Sequence, residues 1–536
     1  MIASFLGRWY TVLNGAADPM GEIVGAYAGK GVKSGKSGGF SRFFLRRAPF
    51  RRFVEMSGET KVFCGLRLFF AICFGAAVLC VVTVYYPLAG VILFLAGLLV
   101  LLSRWKGISA RRFSLGLFLL SLVIHLGAVA FLTTPIESDF ALQYEASRQF
   151  AQGDFSFQDT VYFQKWGYQT GLVIWQGTLL KLWNSPTFLR LVNCLVSAGT
   201  NVLVYLIARD YFEERAARLA SLAYAFFLFP ATLVTVLCNN IPSAFFLYLC
   251  LYLVMGKGFK RCHRVLIYAL AGASLAVANA LRPDAPLVLV PLLAYFVFRF
   301  LSQASWKNFL HYLKRFGALL LTFLVLSAGM SGLVKATGVN AAGLSNNDPL
   351  WGTVLGTNTE WKGLYNNEDG PAIAEKEAEG MSRTQAELQV IREHLNVSPA
   401  ALVELAACKM KSLWWDRGLS WSMGGLKQQT PALFALLEEL DRAMFTCALF
   451  LAALGAIALF RRPKEDFKLY LLPFVMFATS CVYLLIEVQP RYAYAGQIAV
   501  FILMAGGAQV LGSLWETVTA KWRQGFQKQE SFLPRK

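Results

Sequence analysis

The chain has 536 residues, 56% of them hydrophobic and 15% charged, with a mean hydropathy of +0.49. That balance is too apolar for a soluble globule and belongs to the polytopic membrane class. The net charge of +19 invites a nucleic-acid partner, but the basic residues fall mostly in short segments between hydrophobic runs, a signal of membrane topology instead.

Residues 1–62 are rich in Gly, Ser, Lys and Arg and end near RRAPFRR (46–52). They read as a basic cytoplasmic tail, resting on anionic lipid or simply disordered. No early short apolar segment with a cleavage site is seen, so no removable signal peptide is expected.

Apolar runs follow near 63–86, 88–103, 113–134, 187–208, 217–237, 241–256, 265–281, 285–300, 314–334, 443–460, 467–487 and 492–514. About twelve crossings of a ~30 Å hydrocarbon layer are expected. With that count the basic clusters Arg104–Arg112, Arg209–Arg218, Lys257–Arg264, Lys307–Arg315, Arg461–Lys464 and Lys521–Arg523 share one side with the N-terminus. The positive-inside rule makes that side cytoplasmic, with both termini there. GYQTGLVIWQGTLLKLW (167–183) is nearly apolar enough to cross, but a crossing there would turn every later basic loop outward. An outer-surface or re-entrant helix is expected instead.

The resulting expectation is an all-α polytopic membrane protein. An additional transmembrane hairpin (63–103) precedes a core (113–334) whose first outer loop, 135–186, carries juxtamembrane helices. A small external domain follows at 335–431, with a helix through 374–395, then C-terminal transmembrane helices (432–514) and a cytoplasmic tail (515–536). LEELDR (437–442) reads as an interfacial lead-in to the next crossing, and Trp414 and Trp415 as part of an aromatic belt. The ten cysteines are mostly scattered through apolar runs, and His125, His263, His311 and His394 form no ligand group. Neither a disulfide framework nor a metal site is expected.

Four outer-facing constellations carry chemistry. Glu137 and Asp139 lie in TTPIESDF (133–140), at the end of a crossing; a carboxylate there can activate a hydroxyl without entering lipid. DFALQYEASRQFAQGD (139–154) reads as an amphipathic helix with Phe140, Tyr144 and Ala151 on one face and Asp139 at its start, where a helix cap is the plainer role. EVQPRYAY (487–494) brings Glu487, Arg491 and Tyr492 to the outer mouth, where the arginine is either an interfacial anchor or a grip on phosphate. LGTNTEWKGLYNNED (355–369) offers Asn358, Trp361, Lys362, Tyr365 and Asn366, a surface suited to carbohydrate or phosphate and equally an ordinary turn-rich loop. NALRPDAP (279–286) carries Arg282 and Asp284, which can simply pair at the surface; Arg190 is similarly ambiguous.

In this order, these segments resemble the C-type glycosyltransferase superfamily, specifically bacterial family 39-like enzymes related to protein O-mannosyltransferases. Three elements carry the resemblance: an aspartate opening a juxtamembrane helix (137–154), the G-x-N…G-x-(W/Y)-N-x-(E/D)-D-like segment (356–369), and E-x-Q-P-R-Y (487–492). It spans about residues 113–514. The resemblance implies inverting transfer of a sugar from a polyprenyl-phosphate donor outside the cytoplasm, the acceptor being a cell-wall polymer, glycolipid or protein. Asp139 then matches the catalytic base, with Glu137 in support. Arg491 matches a phosphate ligand, with weaker roles for Lys362 and Arg282, while Trp361, Tyr365, Asn358, Asn366, Glu487 and Tyr492 fall to substrate binding. No cofactor is implied beyond the lipid-linked donor, which is a substrate; Glu137 with Asp139 alone is weak ground for a divalent ion. Ser138 stands where many relatives have a second acid. Competing readings are a transporter or flippase of a lipid-linked sugar, and a non-catalytic envelope scaffold.

Overall fold

A backbone in hydrocarbon must satisfy its own amides, and among the described residues every regular element is helical. The computed structural model describes residues 86–104, 107–261, 263–303, 306–459 and 468–530, with Phe69 and Ile72. Residues 1–62 and most of the expected crossing at 63–86 lie outside these.

The core begins with α1 (Tyr86–Arg104) and α2 (Ala110–Phe131), then α3 (Asp139–Gln152), α4 (Thr170–Leu180) and α5 (Pro186–Tyr211). Next come α6 (Glu214–Ala225), α7 (Leu228–Leu233), α8 (Asn240–Met255), α9 (Arg264–Leu281), α10 (Pro286–Gln303) and α11 (Trp306–Ala336). The polar segment that follows holds α12 (Trp351–Thr357), α13 (Asp369–Ala378), α14 (Arg383–Leu395), α15 (Pro399–Trp414) and α16 (Ser420–Gln429). The chain finishes with α17 (Pro431–Leu459), α18 (Leu471–Leu485) and α19 (Tyr494–Glu530). Seven helices are long and apolar enough to cross a membrane, and three more apolar ones are shorter. The protein is a multi-pass membrane protein. α2 packs on α5, α8 and α11 on α9, and α17 on α19.

Five expectations need correction or sharpening. The run at 217–237 is not one crossing: the helix stops at Ala225, α7 adds a short piece containing Pro230, and the chain then stays unwound to Asn239. The expected helix over 374–395 is two, because Gly380 takes φ +94 and Ser382 opens α14 with a capping box to Gln385. Residues 437–442 belong to the unbroken α17, where buried Asp441 accepts the Phe229 amide at 2.8 Å. Trp414 forms no surface belt: it stacks on Phe445 and donates to Ser480 at 3.1 Å. α19 continues as helix well past residue 514.

The 167–183 segment forms no crossing helix. α4 has 11 residues, about 16 Å of helix, half of what the hydrocarbon requires. A Cβ on Gly171 would fall 1.7 Å from the Ala280 carbonyl oxygen of α9. Glycine therefore lets α4 lie directly on the end of α9, two residues before Arg282.

The polar segments 132–186 and 337–430 interlock. The Tyr168 amide donates to the Ser345 carbonyl and the Asn347 amide to the Lys165 carbonyl, at 2.9 and 2.8 Å. Asn340 Nδ2 donates to Thr170 Oγ1 at 2.8 Å, and buried Asp348 accepts from Arg383 at 2.9 Å with Lys165 at 3.7 Å. The loop between α2 and α5 is thereby tied to the region that follows α11.

Candidate active site

Asp139 is the first residue of α3, and Ser138, not Asp139, is its N-cap. Ser138 sits at φ 54 and makes no side-chain cap, a backbone strain of about 1–3 kcal/mol for a residue other than glycine. The Asp139 side chain makes no hydrogen bond with the described residues, so its carboxylate is free of the capping task. The helix buries Phe140, Gln143, Ala146 and Ser147 rather than a Phe140–Tyr144–Ala151 face. Gln143 donates to the Tyr162 hydroxyl at 2.7 Å, and Ser147 meets Gln176 of α4 at 3.2 Å. A partly polar face is buried because it packs on the loop that carries Tyr162 and on α4.

Arg491 reaches this helix from the other end of the chain. Its guanidinium lies 4.7 Å from the Phe140 ring, 5.0 Å from Trp421 and 5.5 Å from Tyr492. Each is a cation–π distance, and Phe140 and Trp421 meet edge to face at 5.7 Å. Phe140 directly follows Asp139, so the two charges share one site, well within the ~15 Å that a sugar phosphate can bridge. Surrounding protein desolvates Asp139 and raises its pKa, while Arg491 pulls the other way. The residue is still open to solvent.

Arg282 closes the cluster. Its Nη2 donates to the Tyr483 hydroxyl at 3.0 Å, its Nε to Asp284 at 3.0 Å and its Nη1 to Asn239 at 3.4 Å, and it lies 4.8 Å over Tyr492. The Asp284 pair is mostly buried, with side chains 15% and 12% exposed, so it is not a surface contact. Glu487 is half-buried: burial raises its pKa against a hydrogen bond from Gln489 and the charge of Arg491, and Asp139 adds to the rise. Tyr162 and Tyr168, whose hydroxyl pKa values burial also raises, feel the Asp139 charge.

The 356–369 loop behaves differently. Buried Asn358 and Asn366 each donate to Asp369 at 2.9 Å, while their carbonyl oxygens accept turn amides. Burial would raise Asp369, but hydrogen bonds from His394, Asn366 and Asn358 outweigh it and hold the carboxyl below its ordinary range. Both asparagines are thus structural, while Trp361 and Tyr365 are exposed. Lys362, at φ 54, pairs with exposed Glu404 at 2.8 Å. Glu137 is exposed.

The structure brings Asp139, Arg282, Glu487, Arg491 and Tyr492 into one cluster and leaves Lys362 in its own pair. Sequence reading missed Tyr162, Tyr168 and Trp421. The aromatic density of the 155–168 loop was the available signal for the first two.

Residues 171–327 match the family model described as dolichyl-phosphate-mannose-protein mannosyltransferase. The archaeal oligosaccharyltransferase AglB from Archaeoglobus fulgidus, solved with an inhibitory peptide and a dolichol-phosphate, is similar with a TM-score of 0.42 and 14% identity, covering 80% of this chain and 52% of that one. The oligosaccharyltransferase of Archaeoglobus fulgidus in its apo form gives 0.43 and 13%, covering 78% and 52%. The chain spans about half the length of these two structures. Among curated proteins nothing matches. The family match bears out the resemblance to C-type glycosyltransferases from a different part of the chain: it includes Arg282 and contains none of the three motifs.

Proposed function

We propose that this chain is an inverting membrane glycosyltransferase that moves a sugar from a polyprenyl-phosphate donor to a cell-envelope acceptor, outside the cytoplasm. The observation that carries this is the seat of Arg491 on Phe140, beside a carboxylate that no capping bond occupies. In the proposed step an acceptor hydroxyl oxygen attacks the anomeric carbon of the sugar as Asp139 takes its proton. The bond from that carbon to the phosphate oxygen breaks on the opposite face, and its electron pair leaves with the polyprenyl phosphate. Positioned base chemistry of this kind contributes about 10²–10⁴-fold. Arg491 and Arg282 face the charge that grows on the phosphate, and their aromatic neighbours supply faces for the sugar ring. The donor brings its own leaving group, so the reading calls for no cofactor.

The unwound segment before Asn240 is a feature that a transporter of lipid-linked sugars would also have. Here its carbonyls are engaged by side chains, Asn239 meets Arg282 and the following Asn240 donates to the Arg491 carbonyl, an arrangement suited to holding a site still. Envelope glycans compared by mass spectrometry with and without the gene test the reading. A missing sugar names donor and acceptor together; unchanged glycans overturn it in favour of transport or a scaffold role.

A further inference from the structure

Buried backbone carbonyls need partners, and an unwound stretch inside an apolar bundle loses the ones a helix would give. After α7, four consecutive carbonyls are each met by a side chain. Asn193 Nδ2 lies 3.4 Å from the Val234 and Val236 carbonyls, Arg190 Nε donates to Thr235 at 2.8 Å, and Gln176 Nε2 to Leu237 at 3.1 Å. Arg190 and Asn193 are one turn apart on α5, so one helix face holds most of the strip.

The same strip touches both halves of the candidate active site. On the carboxylate side, Arg190 Nη2 donates to the Thr134 carbonyl at 2.6 Å, five residues before Asp139. Thr134 Oγ1 shares a hydrogen bond of 2.6 Å with Thr235 and donates to the Ser422 carbonyl at 2.8 Å, next to Trp421. On the cation side, Asn239 meets Arg282, and Asn240 Nδ2 donates to the Arg491 carbonyl at 3.2 Å. The guanidinium fork of Arg190 is therefore a bridge between the loop that carries Asp139 and the strip that leads to the Arg282 side chain and the Arg491 backbone.

We infer that Arg190 is a positioning residue, its two-pronged grip on Thr134 and Thr235 setting the register of Asp139 against Arg282 and Arg491. It touches neither sugar nor phosphate. A lysine carries the charge but lacks a rigid fork able to meet both carbonyls. This inference rests on the proposed glycosyl transfer only for its kinetic readout.

The test uses full-length protein in lipid nanodiscs, as wild type, Arg190→Gln and Arg190→Lys, with Arg148→Ala as a surface control. In Arg190→Gln, amide hydrogen exchange is expected to rise at least about tenfold in 133–141 and 234–240 while α9, α17 and α19 keep their protection. Turnover of a polyprenyl-phosphate sugar is expected to fall about 10²-fold, with the donor KM within about threefold, because the bonds from Arg282 to Asp284 and Tyr483 do not pass through the strip. Arg190→Lys should fall between, and supplies the comparison should the glutamine variant fail to insert. Unchanged exchange in both segments overturns the inference, as does a rise spread evenly over the bundle. Exchange is readable even if the wild type transfers no sugar, so failure here and failure of the functional reading are distinct results.

Discussion

The Lys409 ammonium, with no exposed surface, donates to the Gly356 carbonyl at 2.6 Å and, by a second bond, to Leu484 at 2.8 Å. It thereby fastens the 356–363 loop to the chain that leads into Glu487 and Arg491. Two backbone bonds run alongside, from Glu487 to the Gly352 carbonyl and from Val488 to that of Gly363, at 2.7 and 3.0 Å. Burial pushes the Lys409 pKa down to about 8, against the pull of Glu487. The folded protein thus releases this proton near pH 8 and the unfolded chain near 10.5. Between those values the unfolded state binds more protons, so the stability due to Lys409 rises with pH, by about 3 kcal/mol at most. Denaturation of wild type and Lys409→Met from pH 7 to 10.5 should show the wild type gaining on the variant; parallel curves contradict this.

Gly356 is where that loop meets the backbone. A Cβ there would lie 2.4 Å from the Ile486 carbonyl carbon and 2.5 Å from the Leu485 oxygen, contacts that no side-chain rotation relieves. Gly356→Ala should cost about 1–3 kcal/mol of stability and lower transfer by displacing Glu487. Equal melting of variant and wild type would show the docking to be looser than described.

Arg282 and Lys362, both cations near outer turns, should separate sharply. Arg282→Lys loses the fork that meets Asp284, Tyr483 and Asn239, and transfer should drop by about 10²-fold or more. Lys362→Ala removes only an exposed pair with Glu404, of the kind that contributes little in water, and transfer should stay within about twofold. Side-by-side assays decide between these roles.

Asp139 must be ionised to take a proton, so transfer should fail as pH drops through its pKa, which burial raises and Arg491 lowers. Arg491→Gln removes the lowering charge, and the acid limb of kcat/KM should move to higher pH as the rate falls. A limb that stays in place would uncouple the two residues.

Much of this architecture was legible in the sequence because lipid demands long apolar runs, and ten of the twelve expected runs appear as helices. Asp139 and Arg491 were legible as polar residues at the ends of such runs. The break after Ala225 was not: FFLFPATLVTVL (226–237) continues an apolar stretch, and its partners Arg190, Asn193 and Gln176 lie dozens of residues away. Lys409 was hidden for a related reason, since a lysine on a mixed outer helix looks solvated until its helix is seen packed between two carbonyls. Asn358 and Asn366 looked like ligands because a turn and a binding loop use the same residue types.

In the proposed transfer Asp139 is the base, beside Arg491. The decisive comparison is transfer from a polyprenyl-phosphate sugar by membranes holding equal amounts of inserted wild type and Asp139→Asn. A fall of about 10²–10⁴-fold with insertion intact is predicted; full transfer by Asp139→Asn contradicts it.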